Sequence, residues 1–136
     1  MNVHFKTSSE APYIDEGWYK AKLHELEERE RDPSSQFPGV QVIWHFSLVN
    51  SENQPMLNDR GFDLDFWVFT SQSVGAKSNA RPIIEALLGR QIGRDDSGEE
   101  LAEQVVEKSC YVKIMDYYRD DGELGGSRPQ KGTWSS

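Results

Sequence analysis

A chain of 136 residues, 36% apolar and 28% charged, can bury a core without metal or disulfide staples. Its net charge of −8 argues against indiscriminate binding to a phosphate backbone. A single cysteine, Cys110, excludes an internal disulfide and a multi-cysteine metal site.

No segment approaches the roughly 18 consecutive apolar residues of a membrane span. Residues 1–6 are followed by no apolar run of signal-peptide length. The expectation is therefore a soluble, cytoplasmic protein built as one domain over residues 1–122, with an N-terminal arm over 1–12 and a flexible tail over 123–136.

Gly17 opens the first patterned stretch. Over 18–26, Tyr19, Ala21 and Leu23 fall on one face of a strand and Trp18, Lys20, Lys22 and His24 on the other. The charged run over 27–31 leaves an amphipathic helix as the alternative, with Leu23 and Leu26 on one side. Residues 32–39 read as a loop from their Pro, Ser and Gly content.

The strongest alternation follows over 40–49. It puts Val40, Val42, Trp44, Phe46 and Leu48 inward and Gln41, Ile43, His45 and Ser47 outward. A polar segment over 50–61 leads to a third strand over 62–70. There Phe62, Leu64, Phe66 and Val68 face the core, and Asp63, Asp65, Trp67 and Phe69 face away.

A helix is expected from Ser78 as N-cap, with Pro82 in its first turn, a buried stripe of Ile83, Ile84, Leu87 and Leu88, and Gly89 as its stop. A short second helix over 99–107 turns Leu101 and Val105 inward. A last clear strand alternates Cys110, Val112 and Ile114 with Tyr111, Lys113, Met115 and Tyr117. After a turn at 119–122, the Gly, Ser, Pro and Lys content of 123–136 reads as tail. The order, with a fifth strand left open, predicts a mainly β protein with one or two helices: an OB-like Greek-key barrel with a helix between strands 3 and 4.

No catalytic pattern stands out. His4, His24 and His45 lack metal-ligand spacing, and neither a G-x-S-x-G elbow nor a phosphate-cradling glycine loop is present. Asp63 and Asp65 share a strand face and read as solubilising charge, and Cys110 reads as an inert buried thiol. The expectation is a protein that is not an enzyme and needs no cofactor or metal.

Charge is uneven. Residues 67–94 sum to +3 against −4 over 32–66 and −5 over 95–108. The face opposite the core gathers aromatics and cations, the pairing that single-stranded nucleic acid uses for stacking and phosphate contact. The candidate nucleic-acid-binding residues are Lys20, Lys22, Trp67, Phe69, Lys77, Arg81, Tyr111 and Lys113. A competing expectation is that Trp67 and Phe69 pack as a satellite core under residues 1–16.

Glu16-Gly17-Trp18-Tyr19-Lys20-Ala21-Lys22-Leu23 resembles the opening strand of a group of small phage and prophage proteins. The resemblance continues through Val40-Gln41-Val42-Ile43-Trp44-His45-Phe46, Pro82-Ile83-Ile84-Glu85-Ala86-Leu87-Leu88-Gly89-Arg90 and Tyr111-Val112-Lys113-Ile114. The group is mostly uncharacterised, and its members look like OB-fold, single-stranded-DNA-binding-like proteins of replication and recombination modules. The chain departs from the pattern after Tyr118, where the group closes with another strand.

The resemblance implies single-stranded DNA as partner, contact with a phage or host replication or recombination protein, and location in the host cytoplasm; a homodimer stays open. The alternative function is an acidic interaction module that binds or inhibits a host nucleic-acid enzyme through residues 32–66 and 95–108.

Overall fold

A computed structural model describes residues 13–31, 34 and 39–136. Five strands, β1 (Gly17–Glu30), β2 (Val40–Val49), β3 (Asp65–Ser71), β4 (Ser109–Tyr118) and β5 (Leu124–Pro129), form one antiparallel sheet in the order β3-β2-β1-β4-β5. Two helices, α1 (Ala80–Leu88) and α2 (Gly98–Val105), fall between β3 and β4. The sheet is open, with β3 and β5 as its two edges. The expected barrel therefore stands as an open mainly β sheet with two helices. No helix among the described residues is long and apolar enough to cross a membrane.

Period-two alternation decides which face is core. Ala21 and Leu23 of β1 pair with Leu48 and Phe46 of β2, and Tyr19 and Ala21 pair with Val112 and Cys110 of β4. These residues, with Phe66 of β3, lie in one cluster with Ile83, Ile84 and Leu87 of α1 and Leu101 and Val105 of α2. Both helices thus lie on one face and leave the other without a helical cover. Strict alternation fails once. A bulge between Leu23 and Glu25 shifts the register, so that Leu26 opposite Trp44, rather than Glu25, continues the inner face. Without the bulge the charged run would enter the core. The strand reading of this segment holds, and the helical alternative does not.

Several local expectations are corrected. β3 begins at Asp65, and Phe62, expected in the core, is exposed. Before it, Leu64 and Met56 join Leu48 through backbone hydrogen bonds, so these residues prolong the sheet outside a regular strand. The residue before α1 is Asn79, whose side chain makes no cap. Ser78 still acts there, its hydroxyl accepting the Arg81 N–H at 3.3 Å. Gly89 ends α1 in the left-handed region, as only glycine does cheaply, with its N–H donating to Glu85 O. α2 is shorter than expected and is capped by Ser97 Oγ, which accepts from Glu100 N at 3.1 Å.

The largest correction is at the C-terminus, where a flexible tail is expected from 123 onward. A turn over 119–123 instead feeds β5, which pairs with β4. Ser135 then exchanges two backbone hydrogen bonds with Tyr111. Composition hides this strand because Gly125 is there for close approach: a Cβ would collide with the Tyr117 ring, which is also covered by the Arg128 guanidinium at 3.7 Å. The expected loop at 32–39 and arm over 1–12 lie mostly or wholly outside the described residues.

Candidate functional site

The helix-free face is assembled in cross-strand rows. Trp67 lies opposite His45, and His45 opposite Glu25; Phe69 lies opposite Ile43, and Ile43 opposite Glu27. Two pleats further along, Lys20 sits between Val49 and Tyr111, and beyond it Trp18 faces Lys113. Six of the eight candidate residues, Lys20, Lys22, Trp67, Phe69, Tyr111 and Lys113, share this surface. The rings are open to solvent: Trp67 is 51% exposed, Phe69 50% and Tyr111 46%.

Trp67 is held in place while staying accessible. His45 meets it edge-on at 4.7 Å between centroids, and Phe69 meets it at 6.3 Å with the planes 69° apart. His45 Nε2 lies 3.1 Å from Glu27 Oε1, and the other oxygen of Glu27 accepts from Arg29 at 2.7 Å. Arg29 first, and His45 second, lower the Glu27 pKa. Ile43 beneath this row is fully buried although it belongs to the outer face, covered by its neighbours. The row is preorganised because its members brace one another.

A second chain of polar groups runs His24, Ser47, Asp65. The Ser47 hydroxyl donates to Asp65 Oδ1, so its oxygen is left to accept from His24 Nε2 at 2.6 Å. The ring nitrogen there must carry the proton. This wiring puts the serine between acid and imidazole, the reverse of an activated nucleophile, in which the imidazole lies between. It ties the β1 bulge to β2 and β3.

The cations differ in availability. Lys22 Nζ pairs with Glu107 at 2.9 Å, which lowers the Glu107 pKa. Lys20 and Lys113 make no ion pair among the described residues.

The two remaining candidates lie off the strands. Arg81 is half-buried and donates to Val74 O at 3.4 Å and Ile92 O at 3.0 Å, with Glu85 3.6 Å from its Nε. It braces the loops around α1. Lys77 is in the loop between β3 and α1, beside a shallow hollow that it lines together with Ser71 at the end of β3. Of the positive charge over 67–94, Arg81 and Arg90 are thus engaged around α1 and with Asp96 rather than on the aromatic rows.

The expectation that residues 1–16 cover Trp67 and Phe69 is not met by the part described. Tyr13 Oη donates to Asp116 Oδ1 at 2.8 Å, Ile14 N donates to Ser127 Oγ, and Asp116 N donates to Glu16 Oε2. These residues run beside β4 and β5, across the sheet from β3. Trp18 is a ring on this face outside the eight candidate residues. It is 60% exposed beside Lys113, and its place on the same face as Lys20 and Lys22 in the alternation is the signal that marked it.

No protein-family model matches the chain, and no curated protein matches it in sequence.

Proposed function

We propose that this is a non-enzymatic, OB-like single-stranded-DNA-binding protein of a phage or mobile element, acting in replication or recombination. The observation that carries the reading is the half-exposed Trp67–Phe69 pair on the same sheet face as Lys20 and Lys113, which make no ion pair among the described residues. Bases stack on Trp67, Phe69 and Tyr111, and phosphates are held by Lys20 and Lys113. Lys20 and Trp67 are offset by four residues along β2, about 13 Å, and by two strands, about 10 Å. The site therefore spans several nucleotides. Glu25, exposed opposite His45, keeps the phosphates toward the lysine end. The strand order, with its edges at β3 and β5, supports the partly open five-stranded barrel implied by the resemblance.

The test is fluorescence anisotropy of labelled oligo(dT) at low and moderate salt, with a duplex control. Binding to the single strand that weakens with salt supports the reading. No binding at low salt overturns it.

A further inference from the structure

On the helix-covered face, a cleft of about 590 Å³ opens between α2 and the end of the sheet. This lies within the range of about 300–1,000 Å³ typical of binding pockets. Its walls are apolar: Leu26, Trp44, Val74, Ile84, Leu101 and Val105. The Trp44 Nε1–H is already spent on Thr70 Oγ1 at 2.9 Å, so the floor offers no indole donor. A polar guest group set against these apolar walls, away from Ser71 and Gln72, would lose its water without finding a partner.

The rim is carboxylate. Glu28 lies on the β1 side and Glu99 and Glu103 on α2, and no Lys or Arg is among the described residues lining the cleft. Glu99 and Glu103 are one turn apart, a like-charge spacing that weakens a helix, and neither makes an ion pair among the described residues. The rim repels phosphate and attracts cations, so the nucleic acid proposed for the opposite face does not suit this one.

We infer that this cleft docks a segment of a partner protein in which a bulky apolar side chain is flanked by Lys or Arg. The apolar side chain fills the space between α2 and Trp44, and the basic flanks meet Glu28, Glu99 and Glu103. The inference does not depend on DNA binding. It would let the chain hold a partner and a single strand at once, on opposite faces of one sheet.

The test selects a random-peptide display library on the full chain and measures enriched sequences as labelled synthetic peptides. Two variants that spare the core are compared: Ala102→Trp, at an exposed cleft-lining position, and the triple variant Glu28→Lys, Glu99→Lys, Glu103→Lys. Thermal melts confirm that both fold. The expected result is enrichment of an aromatic or Leu flanked by Lys or Arg, with affinity about tenfold weaker in each variant. Salt weakens binding to the parent and not to the triple variant. No enrichment, enrichment of acidic peptides, or binding unchanged in both variants overturns the inference. A parent dimer that Ala102→Trp dissociates also overturns it, because the occupant is then a second copy.

Discussion

The Trp134 ring lies 5.1 Å from the Phe46 ring, centroid to centroid, and 6.5 Å from that of Phe66. A residue two positions from Ser136 thus packs on β2 and on the edge strand β3, while neighbouring Ser135 is hydrogen-bonded to β4. The last residues bridge by side-chain contact a gap that β3 and β5 leave open in backbone pairing. Replacing Trp134 with Ala is expected to destabilise the fold by about 2 kcal/mol, less than a fully buried ring because Trp134 is half-buried. Urea unfolding of the variant checks this, and an unchanged midpoint would show that the packing contributes nothing.

Trp67→Ala and Phe69→Ala each remove a ring that projects to solvent, so stability should change little. If bases stack there, each substitution weakens oligo(dT) binding by about tenfold. Anisotropy titrations alongside thermal melts separate the two effects. Equal affinity in both variants would move the binding surface elsewhere.

Lys20→Glu and Lys113→Glu are expected to weaken binding to single strands of every sequence and to flatten the salt dependence by roughly one counterion each. Lys22→Ala should do less, because its ammonium is already occupied by Glu107. A salt slope that is the same in all three variants would contradict this assignment.

Arg81 donates to two loop carbonyls, so Arg81→Ala is expected to cost stability by about 1–2 kcal/mol while leaving DNA affinity per folded molecule unchanged. Lys77→Ala should alter neither by much. Loss of DNA affinity in well-folded Arg81→Ala would return this residue to the interface.

Asp96 is held at a pKa of about 2, below its ordinary 3.8, first by the Arg90 guanidinium and then by the Gly93 N–H. A carboxylate with a depressed native pKa stabilises the fold above its unfolded pKa, and the contribution is lost as pH falls through the native value. Wild type should therefore melt above Asp96→Asn at pH 5 and converge with it between about pH 4 and 2. The ion pair is exposed, so the difference should be small and should shrink with salt. A gap that persists at pH 2 would assign the effect to something other than this carboxylate.

Periodicity made β2 and β4 legible residue by residue, because each alternates over most of its length and period two has only two phases. Leu101 and Val105 were legible for the parallel reason in α2. Phe62 misled because a run of alternating residues says which face a residue takes only while the strand continues, and β3 starts three residues later. The bulge at His24 was invisible for a related reason: one inserted residue changes the phase without changing composition. Arg81 and Lys77 looked like one cationic site with the aromatics because they are close in sequence. The loop after β3 carries α1 to the other face, and Arg81 is consumed there.

What the amino-acid order determined by itself was local: which segments extend, which coil, and which side of each strand meets water. These follow from steric preference and from the alternation of apolar residues, which act over a few neighbours. Tertiary structure alone decided the rest. Pairing of β1 with both β2 and β4 put Lys20 beside Tyr111, and the fold of α2 against the sheet opened an acidic-rimmed cleft. Docking of Trp134 onto Phe46 gave order to a glycine-rich end whose own propensities favour none. Each of these depends on contacts between residues far apart in the chain, whose gain in buried surface is not written in any short window.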